Sequence, residues 1–332
     1  MRLTFSLTPS IIAALALSAC FAMPTLAQST AAQAFPNKPI RLIVPFPPGG
    51  ATDIIGRTLA QKLTMQLGQS VVVDNKPGAG GTLGSTELTK AANDGYTLLL
   101  ATTSTHSIAP SLYKNIAYDA VKDFAPICEV ASATNVLIVT PSLAAKDVRE
   151  LIAAAKAEPD KLNYASSGNG TIVHLQSELF KMMSGTKITH VPYKGTALAI
   201  PDLVSGQTQL MFDSIVSALP HVKGGKVKAL AVTSAKRSAL LPDVPTVIES
   251  GLPGYEVNTY FGLFAPAGTP REIVQKLQRE TATAVQSADA KERFASQGAE
   301  PVGGTPEALA LLMRTEAEKW KRVIDAGQVK ID

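Results

Sequence analysis

Short apolar segments alternate with amphipathic segments along the chain, and this order limits the possible folds more than any other feature. Segments 40–46, 71–74 and 97–102 contain few polar residues, as is typical of strands that are covered on both faces of a sheet. Segments 53–67 and 82–92, which separate them, have the apolar periodicity of helices. This order predicts a doubly wound α/β unit with parallel strands.

A second unit of the same kind follows. Two longer extended segments, 125–140 and 255–266, are predicted to cross between the two units and to leave a cleft between them. Because 332 residues exceed the length of a typical single domain, we expect two domains. Strands of the second unit are predicted at 162–165, 189–192, 209–213 and 228–233, with helices beginning near Thr171, Thr196 and Ser214.

The crossings set the predicted domain boundaries. Domain I comprises residues 36–131 and 251–332, because the chain returns to it at the second crossing. Domain II comprises residues 132–250. Each domain is predicted to be a mostly parallel sheet flanked by helices.

The N-terminal residues have the features of an export signal. An apolar stretch at 11–19 follows a positively charged start and precedes a small-residue cleavage site at Gln28. Residues 1–27 are therefore predicted to be a signal peptide, and the mature protein is predicted to work in the periplasm. The alternative is lipid attachment at Cys20, since residues 17–20 resemble a lipobox.

Composition and motifs exclude several other classes of protein. The formal net charge is +4, the basic residues are scattered and aromatic residues make up 5% of the chain, so we expect no nucleic-acid partner. The four histidines lack the spacing of a zinc site, and neither a nucleophile elbow nor a P-loop is present. The loop 78–84 follows a strand as a dinucleotide loop would, but Leu83 stands where the third glycine should be. We predict neither catalytic residues nor a metal or cofactor.

Three loops rich in glycine and hydroxyl residues follow predicted strands and lead into helices, at 46–53, 78–84 and 166–171. In an open α/β sheet, ligands bind beyond the carboxyl ends of the strands. Glycine lets the backbone come close to a ligand, and the free N–H groups at a helix start attract anions. These loops favour a site for a small carboxylate. The alternative is that they are ordinary turns capped by Thr52, Thr82 and Thr171.

Few other side chains are candidates for the cleft. The hydroxyl run at 102–105 either binds an anion or caps a helix. Asp213 ends a predicted strand and is the one candidate acceptor for a ligand amine or hydroxyl. Lys194 either pairs with a second carboxylate or is solvated, and His174 either faces the cleft or is an ordinary helix residue.

Segment 39–53 resembles the opening signature of the Bug-type receptors, the extracytoplasmic solute receptors of tripartite tricarboxylate transporters. The resemblance covers nearly the whole mature chain, in order. The further matching blocks are 75–81, 164–171, 190–195, 211–213, 251–255 and 264–270.

The resemblance implies a type 2 periplasmic binding protein, or Venus flytrap, that binds a di- or tricarboxylate, an acidic amino acid or an aromatic acid. Family members often have asparagine where this chain has Thr82, which puts the choice of ligand in doubt. Carried over to this chain, the ligand-binding positions are Phe46, Pro48, Gly49, Thr52, Gly80, Thr82, Thr103 and Ser104 in domain I, and Ser167, Gly168, Thr171, His174, Tyr193 and Asp213 in domain II.

The resemblance also implies the partners. The closed receptor, expected to be a monomer, would dock on the membrane permease subunits of a tripartite tricarboxylate transporter. One alternative is a ligand sensor that docks on a signalling protein. Another is a secreted hydrolase or transferase, for which the sequence supplies no nucleophile motif.

Overall fold

The computed structural model describes residues 35–331 as strands and helices that alternate. Both predictions for the N-terminus, the signal peptide and lipid attachment at Cys20, lie outside these residues. None of the described helices has the length and apolar character needed to cross a membrane. The strands are β1 (Ile40–Val44), β2 (Val71–Asn75), β3 (Thr97–Thr102), β4 (Phe124–Val139), β5 (Asn163–Ser166), β6 (Thr189–Pro192), β7 (Leu210–Ser214), β8 (Lys228–Val232), β9 (Asn258–Pro266) and β10 (Ala299–Pro301).

Helices fill most of the intervals between these strands, and three helices, interrupted by the short strand β10, lie between Arg271 and Gly327. The helices are α1 (Ala51–Leu67), α2 (Thr82–Thr89), α3 (Ala109–Leu112), α4 (Val148–Ala157), α5 (Ile172–Ser184), α6 (Thr196–Ser205), α7 (Ile215–Lys223), α8 (Arg271–Gln286), α9 (Ala288–Gln297) and α10 (Pro306–Gly327).

The outer strands pair in parallel, as the alternation predicts. β1 lies between β2 and β3, and β5 lies between β6 and β7, with all four pairings parallel. Helices connect these strands because a parallel neighbour cannot be reached by a tight turn. The predicted α/β architecture is confirmed.

The two long strands add antiparallel pairs that the sequence did not predict. β4 pairs with β9 from Phe124 to Thr134, and from Asn135 to Val139 it pairs with β7 and β8 instead. β9 also pairs with β3, again antiparallel. The sheet is therefore mixed, and β4 changes partners between Thr134 and Asn135.

Side chains of both β4 and β9 pack into the buried core. The ring centroid of His106, in the turn after β3, lies within 5.9 Å of the centroids of three rings in that core, those of Tyr118, Phe124 and Phe264. Burial lowers the pKa of His106 to about 3, so the imidazole is neutral and packs as an aromatic side chain.

Candidate functional site

A cavity of about 50 Å³ lies where the β1–α1 and β6–α6 loops approach the two long strands. Among the described residues that line it, Asp213 is the only ionisable one, and hydroxyls, backbone and apolar groups form the rest of the wall. The lining residues are Phe46, Pro47, Gly50, Ala51, Thr52, Thr102, Ser104, Asn135, Ser167, Ile172, Val173, Gly195, Thr196, Ala197, Asp213, Ser214, Thr259 and Phe261.

Two helices begin at this cavity with glycine at the N-cap position. Gly50 precedes α1 and Gly195 precedes α6, and neither helix start has a side-chain cap among the described residues. The first N–H groups of a helix have no partner inside the helix, and the aligned peptide dipoles make that end positive. The cavity therefore has two positive helix ends, and none of its described lining residues has a cationic side chain.

Gly195 lets these two helix starts come together. Its φ is +125°, and a Cβ at this position would lie 2.7 Å from Cγ of Pro47 in the β1–α1 loop. A residue with a side chain would force the loops apart. The close contact places the start of α6 beside the start of α1.

Two buried polar groups at the cavity have no hydrogen-bond partner within the described part of the chain. They are Nδ2 of Asn135, which is 0% exposed, and Oγ1 of Thr102, which is 2% exposed. The carbonyl of the same Asn135 side chain accepts from Oγ1 of Thr259 at 3.2 Å, which fixes the amide. Because an unpaired buried donor is costly, these groups are suited to binding a polar ligand.

Asp213 provides the acceptor in the cavity. Its carboxylate accepts hydrogen bonds from Oγ1 of Thr196 at 3.1 Å and from Oγ of Ser217 at 2.7 Å. Burial raises the pKa of Asp213 to about 6, and the two hydroxyl donors only partly offset that rise. The carboxyl group is therefore partly protonated near neutral pH.

The β5–α5 loop, residues 166–171, contrasts with the glycine-capped helix starts, because its polar groups bind one another. Oγ1 of Thr171 caps α5 by accepting from N of His174 at 3.4 Å. N of Ile172 donates to Oγ of Ser104 at 2.9 Å, and N of Gly170 donates to Nδ1 of His174 at 3.2 Å. Two of the first three N–H groups of α5, those of Ile172 and His174, are therefore already used, although Ile172 and Val173 line the cavity.

Burial lowers the pKa of His174 to about 4, so its ring is neutral and Nδ1 can accept the hydrogen bond from Gly170. The ring stacks on His190 with 4.2 Å between centroids. His174 therefore holds the loop rather than lining the cavity.

A larger groove of about 730 Å³ lies beyond the cavity and shares Phe46, Pro47 and Ser167 with it. The groove runs between the 77–81 loop and residues 192–194 and 198. Where it passes Asn169, the hydroxyl of Tyr113 donates to the backbone oxygen of that residue at 2.8 Å.

The structure distributes the predicted binding residues over several places. Those that line the cavity are Phe46, Thr52, Ser104, Ser167 and Asp213, and those that line the groove are Phe46, Gly80, Ser167, Gly168 and Tyr193. Pro48, Thr82, Thr103, Thr171 and His174 line neither. Gly49 lines a second groove, on α6, which shares Thr196 and Ala197 with the cavity.

Several of the predicted binding residues that line neither the cavity nor the groove make other contacts. Thr82 donates to the backbone oxygen of Ala79 rather than capping α2, and Oγ1 of Thr103 accepts from N of Tyr260. Tyr193, in the groove, donates its hydroxyl hydrogen to Asp202 at 2.6 Å. Of the three threonine caps considered as an alternative, the structure contains the one at Thr171.

Sequence reasoning missed the residues that the long strands contribute. Asn135 and Thr259 lie in segments that the sequence analysis described only as extended and apolar. The signal that could have found these two residues is their polarity inside such a segment, since a buried polar side chain must find a partner.

Comparisons with known proteins agree with this fold. Residues 55–329 match the family model described as tripartite tricarboxylate transporter family receptor. The periplasmic binding protein BugD is similar, with 38% identity, a TM-score of 0.86, and 89% of this chain and 99% of that chain covered. The structure is therefore a mixed α/β fold of the periplasmic binding protein kind.

Two further structures are similar and contain small acids. Rpa4515 of R. palustris, with adipate, is 37% identical, with a TM-score of 0.87 over 89% of this chain and 99% of that one. MatC of Rhodopseudomonas palustris, with bound malate, is 36% identical, with a TM-score of 0.83 over 87% of this chain and 100% of that one. The chain therefore belongs to the tripartite tricarboxylate transporter receptor family, the TctC family, whose members are solute-binding receptors and not enzymes.

Proposed function

We propose that this chain captures a small carboxylated organic anion in the cavity at the starts of α1 and α6, for uptake by a tripartite tricarboxylate transporter. The observation that carries the proposal is the coincidence, in one cavity, of two uncapped helix starts with the unpartnered donors of Asn135 and Thr102. Relatives with adipate and with malate support the ligand class.

The charges of the cavity suit a carboxylate. Since no lysine or arginine is among the described residues of the wall, the negative charge would be balanced by helix dipoles and neutral donors, which cost less to desolvate than a cation. The ionised form of Asp213 would oppose an anion, so we infer that its carboxyl group is protonated when the ligand binds, or that it accepts from a ligand hydroxyl or ammonium.

The ligand would join two domains with the predicted boundaries, residues 36–131 with 251–332 and residues 132–250. The change of partners in β4 at Asn135 supports a hinge there, and Asn135 also lines the cavity. A ligand that contacts both domains favours the closed state, in which a monomeric receptor would dock on permease subunits. Removal of residues 1–27 on export would place the protein in the periplasm.

The experiment compares two buried threonines whose hydroxyls are both unpartnered in the described structure. Thr102 lines the cavity, whereas Thr281, on α8, does not. Thr102→Val keeps the shape and removes one donor, so affinity for a bound carboxylate should fall about tenfold, the typical worth of a hydrogen bond to a charged group. Thr281→Val should leave affinity unchanged.

Calorimetry gives the affinities for acetate, hexanoate, malate and adipate, and for the amide of each acid as a control. Thermal melting checks that both variants fold. Binding of an acid but not its amide, weakened only by Thr102→Val, is the expected result. Equal binding of acids and amides, or the absence of any binding, would contradict the proposed function.

A further inference from the structure

The cavity is small and open on one side. Its volume of about 50 Å³ suits a carboxylate and the carbon next to it, since one water-sized atom needs roughly 10–15 Å³. The rest of a longer ligand extends beyond this space.

The groove adjoins the cavity. Phe46, Pro47 and Ser167 line both spaces, so an acid whose carboxylate lies at the helix starts can extend past the Phe46 ring into the groove. The groove of about 730 Å³ is large enough for a chain or ring of many atoms.

The groove is mainly apolar. Pro47, Pro77, Leu198 and Ile331 line it with the rings of Tyr113 and Tyr193, and among its described lining residues Lys194 is the only charged one. Lys194 is exposed, so its ammonium group can remain hydrated. A second carboxylate in the groove would lose water and gain little in return.

Tyr113 forms a fixed aromatic wall. Its hydroxyl donates to the backbone oxygen of Asn169, and Gly80 and Gly170 flank its ring. A Cβ at Gly80 would lie 2.6 Å from the Tyr113 hydroxyl, and one at Gly170 would lie 2.7 Å from the ring. A ring held in this way binds an apolar group without first losing side-chain freedom.

We propose that the groove is a subsite for the apolar part of the ligand, and that this receptor selects monocarboxylates with an alkyl or aryl extension over short dicarboxylates. The inference rests on the proposed function, because it takes the carboxylate of the ligand to lie in the cavity.

The test compares acetate, hexanoate and adipate by calorimetry on the mature protein. Acetate reaches the cavity alone, and hexanoate and adipate have the same chain length and differ at the far end. Each methylene moved out of water contributes roughly a fourfold gain in affinity, so hexanoate should bind at least about tenfold tighter than acetate. Hexanoate should also bind tighter than adipate, because adipate would place a second carboxylate in the apolar groove.

Variants at two equally exposed leucines locate the effect. Leu198 in the groove is 58% exposed and Leu311 on α10 is 57% exposed, so neither substitution should disturb folding. Leu198→Gln should weaken hexanoate about threefold and leave acetate unchanged, and Leu311→Gln should change neither.

The outcomes separate the two proposals. Adipate binding as tightly as hexanoate, or hexanoate no tighter than acetate, would overturn the apolar subsite while the carboxylate receptor stands. Equal effects of Leu198→Gln and Leu311→Gln would also overturn it. If none of the three acids binds, the proposed function itself fails.

Discussion

The β1–α1 loop and the β5–α5 loop look alike in sequence and differ in structure. Both follow a strand, both contain glycines, and both lead to a helix start with a threonine, Thr52 in α1 and Thr171 before α5. At α1 the N-cap is Gly50, without a side-chain cap in the described structure, and the helix start faces the cavity. At α5 the N-cap is Thr171, and its hydroxyl, Ser104 and His174 bind the N–H groups of the loop.

The difference shows that composition alone does not make an anion site. A helix start binds an anion when its N–H groups are free, and a capping side chain removes that capacity. We therefore expect the β1–α1 loop to control affinity and the β5–α5 loop to control stability. The following tests would break or sharpen that division.

The largest effect is expected from Gly50→Asp. The φ of Gly50 is −82°, so aspartate is tolerated there, and its carboxylate would cap α1 and place a negative charge at the cavity. Affinity for the bound carboxylate should fall at least about a hundredfold, because like charges brought together cost several kcal/mol.

Thr305→Asp is the matched control, since Thr305 is the N-cap of α10, whose start is not part of the cavity. It should leave affinity unchanged in the same calorimetric titration. Full affinity in Gly50→Asp would show that the α1 start is not the anion site.

A smaller effect is expected from pH, because ionisation of Asp213 should lower the affinity for the ligand about tenfold. Its pKa is about 6, so the carboxyl group is neutral at pH 5 and ionised at pH 8, where it repels the ligand. Affinity should therefore fall about tenfold as pH rises from 5 to 8, if the ligand raises the pKa of Asp213 by about one further unit.

In Asp213→Asn the fall in affinity from pH 5 to pH 8 should be lost, and any change that remains near pH 5 follows the titration of the ligand carboxyl group, whose usual pKa is about 4 to 5. Proton uptake on binding at pH 7, measured by calorimetry in two buffers of different ionisation enthalpy, gives an independent check. A pH profile unchanged by Asp213→Asn would assign the dependence to another group.

The smallest effect on affinity is expected from Thr171→Ala. Removing this cap should lower the free energy of unfolding by about 1 kcal/mol, the usual value for a lost N-cap, while affinity changes less than about threefold. Thr171→Ser keeps the hydroxyl and should restore stability. Denaturant unfolding gives the free energy of unfolding of both variants, and calorimetric titration gives their affinity for the ligand. A large loss of affinity with normal stability would show that the β5–α5 loop controls affinity instead.

Much of the fold could be predicted because its causes are local. The strands at 97–102 and 189–192 have the predicted bounds, and the predicted long extended segment at 125–140 is one strand, Phe124–Val139. Helix α2 ends at Thr89 rather than at residue 92, where its periodicity alone gave no end signal. The antiparallel pairs of β4 and β9 were not predictable, since pairing partners are distant in the sequence.

The sequence by itself determined the α/β order, the family and the kind of loop at which a carboxylate would bind, because apolar periodicity and glycine at helix starts are read from adjacent residues. Only the tertiary structure decided which donors are free. Oγ of Ser104 accepts from an N–H of α5 that lies 68 residues away in the sequence, whereas Nδ2 of Asn135 has no partner among the described residues. Whether a buried group is satisfied depends on side chains that only the fold brings together.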